Sequence, residues 1–206
     1  FQIAAAGLAE KDLLSLCEGM EHLEAIDLPS NDFHIITEIK KQSPSMGLLA
    51  AESFDVEQHA MSYIDGGASL LSVLTEPSRF SGGLEDLQLV ADLEHSIPVM
   101  CKDFLVHPYQ VSEAKYHGAN GVLIILAIAD EGQIRAMIQR ALDHGMFVLL
   151  EAFTKKELHL ATRILTTFAD QSEQLLVGVN CRDLNTLKVH FSNFEKLATE
   201  LPSNTI

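Results

Sequence analysis

Six residues able to bind anions or move protons stand at or just beyond the C-terminal ends of short apolar runs: Glu38, Lys40, Lys102, Glu151, Asn180 and Arg182. In an extended strand residues i and i+2 share a face, so Glu38 projects with Lys40, and Asn180 with Arg182. Lysine and glutamate transfer protons well once burial or a neighbouring charge brings them toward the operating pH. Arginine adds a planar fork that fits a carboxylate. If all six face one opening, the cations Lys40, Lys102 and Arg182 outnumber the carboxylates Glu38 and Glu151. An uncompensated buried charge is costly, so such a pocket calls for an anionic ligand.

The elements that must position these residues are legible as an alternation. Short β-rich apolar runs occur at 34–39, 70–74, 97–101, 122–126, 146–150 and 175–179. Stretches with apolar residues at helical spacing lie between them, at 56–64, 84–93, 109–116, 133–142 and 156–168. This pattern predicts right-handed βαβ units on a parallel sheet, either doubly wound or closed into a barrel. Polar residues at the ends of several different strands favour the barrel, and no GxGxxG turn follows the first strand as a dinucleotide fold would require. The expected architecture is α/β, a (β/α)8 TIM barrel. An extra helix over 7–20 is expected to cap one end.

A chain of 206 residues with 47% hydrophobic content can bury one sizeable core, so residues 1–206 read as a single domain. No apolar run approaches the roughly 20 residues of a membrane span, and the first ten residues lack the pattern of a secretory signal. A cytoplasmic protein is expected, with no membrane partner. A net charge of −15 argues against nucleic acid, which needs clustered cations. Cys17, Cys101 and Cys181 are too far apart for a CxxC pair, and the histidines, among them His34, His107 and His144, show no metal spacing. No metal is expected, and the histidines read as surface or satisfied core residues. Lys41 reads as a surface neighbour pointing away from Lys40. Asp103 and Asp183 read as structural or capping residues.

The segments Glu38-Ile-Lys-Lys-Gln-Ser-Pro-Ser45, Ser72-Val-Leu-Thr75, Cys101-Lys-Asp-Phe104 with Pro108-Tyr-Gln110, Leu150-Glu151 and Val179-Asn-Cys-Arg-Asp-Leu184 resemble, in order and spacing, the signature segments of the indole-3-glycerol phosphate synthase family. The resemblance spans about residues 33–206 and is specific in combination, whereas each segment alone is weak. It implies a cofactor-free ring closure of 1-(2-carboxyphenylamino)-1-deoxyribulose 5-phosphate, with loss of carbon dioxide and water, in tryptophan biosynthesis. It also implies that Lys102 acts as general acid on the substrate carbonyl, with Glu151 as its partner in proton transfer. Lys40 would bind phosphate and is a candidate second acid in the dehydration. By the same resemblance Glu38, Asn180 and Arg182 orient the anthranilate carboxylate and sugar hydroxyls, and Ser43 is a phosphate-side contact. Pro44, Phe104, Leu123 and Leu184 would form the apolar wall for the aromatic ring. The implied partner is a small phosphorylated anion; the protein would act as a monomer or joined to another enzyme of the tryptophan pathway.

Relative to the family pattern, this sequence reads as C-terminally incomplete, stopping where strand 7 should begin, with strands 7 and 8 missing. It carries Met46 where a lysine is common, and Ala152-Phe153 where Val-His is usual. Two other readings stay open at this point. One is a different phosphate-binding barrel, an isomerase or an aldolase using Lys102 as a Schiff-base amine. The other is an inactive barrel fragment acting as a binding subunit.

Overall fold

Period-two alternation sorts the strand residues into two buried layers, which is why the sheet needs cover on both faces. The structure, a computed structural model, describes residues 8–20, 26, 33–43, 47–48, 54–182, 188–189 and 191–201. After a first helix, α1 (Glu10–Glu18), comes strand β1 (Ile36–Ile39) and a short antiparallel hairpin of β2 (Gln42–Ser43) and β3 (Gly47–Leu48). Alternating elements follow: α2 (Val56–Asp65), β4 (Leu70–Leu74), α3 (Pro77–Phe80), α4 (Leu84–Ala91), β5 (Val99–Lys102), α5 (Pro108–Tyr116) and β6 (Gly121–Ile125). The order continues with α6 (Glu131–Asp143), β7 (Phe147–Ala152), α7 (Lys155–Thr167), β8 (Leu175–Val179) and α8 (Phe191–Ala198).

Among the described residues one six-stranded parallel sheet runs β1-β4-β5-β6-β7-β8, so each strand pairs with the next in sequence apart from the hairpin. Sequential parallel pairing with helices between the strands is the winding of a (β/α) barrel, not of a doubly wound sheet, whose strand order reverses. Leu71, Val73, Val122, Ile124, Val148, Leu150, Leu175 and Val177 face outward into the layer shared with the helices. Leu70, Met100, Leu123, Ile125, Phe147 and Leu176 face inward and form a second, separate cluster. The Phe147 ring lies over Gly121, its partner on β6, and a Cβ there would collide with it. A small residue facing a large one is how a narrow lumen is filled.

Helix starts follow local chemistry. Asp55 accepts the Gln58 N–H, while Asp130 with Gln133 and Thr154 with Glu157 form capping boxes. His107, expected at the surface or in the core, caps α5 together with Gln110, ahead of Pro108. Helix α5 departs from the amphipathic pattern expected of 109–116, since Ser112, Glu113 and Lys115 are all buried. The reason is α1, which lies against α5: Tyr109 donates its hydroxyl to the Leu8 carbonyl and Cys17 its thiol to the Ser112 carbonyl. Helix α1 thus flanks the side of the fold, where 7–20 was expected to cap an end. No helix among the described residues is long and apolar enough to cross a membrane.

Candidate active site

The inward rows of the sheet turn from apolar to polar toward the C-terminal ends of the strands. Inward-facing Met100 is followed on its row by Lys102, Leu149 by Glu151, and Leu176 by Gly178 and then Asn180. On β1 the inward residue is Glu38, with Lys40 next on the same row just past the strand end. Lys40 donates to Glu38 Oε1, while Lys102 Nζ lies 3.1 Å from Glu38 Oε2. One carboxylate therefore holds two ammonium groups from two strands. Burial alone would raise the pKa of Glu38, but the Lys102 and Lys40 charges and their hydrogen bonds outweigh it and hold the group below the usual glutamate value.

Glu151 is treated in the opposite way. Asn180 Nδ2 donates to its Oε1 at 3.1 Å. Burial pushes its pKa up and Glu38 adds to the rise, whereas Asn180 and Lys102 pull it back only in part. Within one cleft the fold thus holds a carboxylate kept ionised by cations and a second one raised by desolvation, with Lys102 felt by both. Groups whose surroundings push their titrations apart are a recurrent mark of acid–base sites.

The remaining sequence-predicted residues fall into three positions. Leu123 is fully buried and packs with Ile125, Met100 and the half-buried Phe104, forming an apolar floor below the charged groups. The Phe104 ring centroid lies 6.3 Å from that of Phe80 on α3. Ser43 is buried in the hairpin that follows β1. Arg182 lies just beyond the end of β8. Its backbone N–H donates to Asn180 Oδ1 at 2.8 Å while the residue itself is exposed at the rim. Its backbone also forms an isolated antiparallel bridge with Val189. Pro44, Leu184 and Asp183 lie outside the described residues.

Two supporting interactions and one unpaired buried hydroxyl were not read from the sequence. Lys41 does point away from Lys40, but it pairs with the buried Asp86 of α4, Nζ lying 2.6 and 2.7 Å from the two carboxylate oxygens. Thr75 donates to Asp103 Oδ2 at 2.7 Å and Asp103 Oδ1 accepts the Phe104 N–H, which holds the Lys102–Phe104 segment against the end of β4. Ser72 faces the interior, and its hydroxyl is buried without a hydrogen-bond partner among the described residues. Residue type and spacing gave no signal for the first two, because each joins positions distant in sequence. Ser72 stood in a recognised segment but without a role. Among the described residues no three His, Cys, Asp or Glu side chains gather as a metal ion would require. Two ammonium groups and a raised carboxyl above an apolar floor can grip an anion, protonate a carbonyl oxygen and remove a proton from a neighbouring carbon.

Comparison with known proteins gives consistent results. The family model for indole-3-glycerol phosphate synthase matches residues 10–206. An indole-3-glycerol phosphate synthase of Mycolicibacterium smegmatis is 40% identical over 206 residues, covering 96% of this chain and 72% of that protein. One from Mycobacterium leprae is 44% identical over 172 residues, covering 84% of this chain and 60% of that protein. The chain thus spans about three fifths to somewhat under three quarters of the length of these relatives. Among solved structures, a dihydropteroate synthase of Xanthomonas albilineans superposes with a TM-score of 0.54 at 14% identity, covering 81% of this chain and 66% of that one, a likeness of fold alone.

Proposed function

The chain belongs to the indole-3-glycerol phosphate synthase family, and from that premise we propose that its polar cleft closes the indole ring of 1-(2-carboxyphenylamino)-1-deoxyribulose 5-phosphate. The observation that carries this reading is the convergence of Lys40, Lys102, Glu38, Glu151 and Asn180, from four strands, at one end of the sheet. Lys102 protonates the substrate ketone as the ring carbon bearing the carboxylate attacks it, forming the new carbon–carbon bond. Loss of carbon dioxide restores the aromatic ring. The hydroxyl group left by the former ketone is then protonated and leaves as water, while a proton is removed from the adjoining carbon and the ring double bond forms. Glu151 suits that removal, because a carboxyl raised by burial is a stronger base than an ordinary one. Lys40 is the candidate second acid and the phosphate contact, and by resemblance Ser43 is a further phosphate-side contact.

Glu38 is assigned a different part from the carboxylate-orienting one that the family resemblance implies. Two carboxylates repel, and Glu38 already binds both ammonium groups, so it places Lys40 and Lys102 while Asn180 and the rim residue Arg182 serve the substrate's own groups. Phe104 and Leu123, and by resemblance Pro44 and Leu184, receive the aromatic ring. Supplying the carboxyphenylamino-deoxyribulose phosphate and following indole fluorescence tests the proposal. Lys102→Ala and Glu151→Gln are each expected to lower turnover by more than about 100-fold, the scale of a positioned acid or base. Folded protein that forms no indole, or variants that turn over normally, would refute it. Borohydride trapping of an adduct on Lys102 would point to amine chemistry instead.

A further inference from the structure

Ser72 is the polar member of the inward row of β4, between Leu70 and Leu74. It is 2% exposed, and its Oγ has no hydrogen-bond partner among the described residues. A buried hydroxyl left unpaired carries its full desolvation cost, so its retention calls for a use outside the resting arrangement. The register says where that use lies. On one side Ser72 pairs with Glu38 of β1, and on the other with Met100 of β5, whose next inward residue is Lys102. Facing neighbours on paired strands are close enough for side-chain contact. Ser72 is therefore the cross-strand neighbour of the glutamate that binds Lys40 and Lys102.

We propose that Ser72 is a positioning residue, whose hydroxyl takes over from Lys102 as hydrogen-bond donor to Glu38 when Lys102 turns to the substrate carbonyl. The proposal rests on the reading of Lys102 as the general acid. An acid that moves to its substrate cannot remain on its counter-ion. The groups facing Glu38 are then Lys40 on β1 and, from β7, the Glu151 carboxylate, whose charge repels it. Stripped of one donor in a half-buried site, Glu38 would compete for the proton that Lys102 delivers. A neutral hydroxyl restores the missing hydrogen bond without adding a cation that would compete for the substrate's phosphate.

Two measurements on the full-length protein decide the matter. In steady-state kinetics Ser72→Ala and Ser72→Cys, the second filling the same space, are expected to lower kcat by roughly five- to tenfold, the worth of one hydrogen bond, with KM within about twofold. Their melting temperatures should equal or exceed the parent's, because an unpaired buried hydroxyl has been removed. Unchanged kcat would mean a purely structural serine, and a raised KM at constant kcat a direct substrate contact; either overturns the proposal. The second measurement needs no turnover: the titration of Glu38 is followed by NMR of carbon-labelled glutamate, with and without Ser72→Ala, in the parent and in Lys102→Met. Loss of the hydroxyl should raise the Glu38 midpoint by about one unit in Lys102→Met and hardly at all in the parent. Equal effects in both backgrounds would sink the proposal. Absence of indole product from the parent would instead sink the functional reading.

Discussion

Glu38 and Glu151 are carboxyl groups of one cleft pulled in opposite directions, and this has opposite consequences for stability. Glu38, held below the ordinary glutamate value of 4.5 by Lys102 and Lys40 against the effect of burial, stabilises the fold above that value. This contribution is lost as the pH falls through its lowered pKa. Glu151 is raised above 4.5 by burial, so its contribution is present below that value and is lost as the pH rises through its folded pKa. Glu38→Gln should therefore melt below the parent at pH 7, with the gap closing in acid as the parent's own carboxylate protonates. Glu151→Gln should melt at or above the parent at pH 7, with the gap closing toward pH 4, although turnover is lost. Thermal melts of both variants across this range check the signs. A Glu151→Gln variant less stable than the parent at neutral pH would show that the carboxylate supports the fold rather than its chemistry.

At the scale of elements, the segment leaving β1 is fastened to the segment following β4. Lys41 reaches Asp86 on α4, and Gln42 Oε1 accepts the Ser81 hydroxyl at 2.8 Å. Ser81 sits in the left-handed region at φ 54°, and the adjoining Gly82 lies so close to the Leu74 carbonyl that a Cβ would collide with it. The turn after α3 is thus seated on the end of β4, and through Gln42 and Lys41 it fixes the hairpin that carries Ser43. Asp86 is buried while Lys41 is partly solvated, so removing the lysine strands a carboxylate. Lys41→Met is expected to cost about 1–3 kcal/mol, less than a fully buried pair because solvent screens the lysine. Lys41→Met with Asp86→Leu should recover much of this, since the pair is then replaced by apolar contact. Urea melts of the single and double variants test the coupling. Equal destabilisation by both would indicate that packing, not charge, fixes this turn.

Across the whole molecule, what the sequence made legible was whatever depends on local period. Alternation put Glu38 on one face with Lys40, position at a strand end singled out Lys102, Glu151 and Asn180, and helical spacing placed α2, α4, α6 and α7 between strands, because these patterns are fixed within a few residues. Contacts that join distant segments left no such trace: Lys41 with Asp86, Thr75 with Asp103, and the docking of α1 that buries α5 on both sides. The thiols give a measure of that layered organisation. Cys101 lies in the sheet-to-helix core, and burial pushes its pKa up to about 12, the Thr75 hydrogen bond offsetting this only in part. Cys17 is buried at the α1–α5 contact and raised by burial, with Lys115 and Arg140 pulling it back. Cys181, just past β8, is partly exposed. A thiolate must form and meet solvent before a maleimide or disulfide reagent can attack it. Under native conditions Cys181 should therefore label first. Cys17 should follow at a rate set by local undocking of α1, and Cys101 only when the sheet opens globally. Substituting Leu13, which is fully buried in the α1 contact, with Ala should accelerate Cys17 far more than Cys101. Labelling followed by mass spectrometry reads all three rates; equal acceleration of Cys17 and Cys101 would mean that α1 and the sheet unfold as one unit.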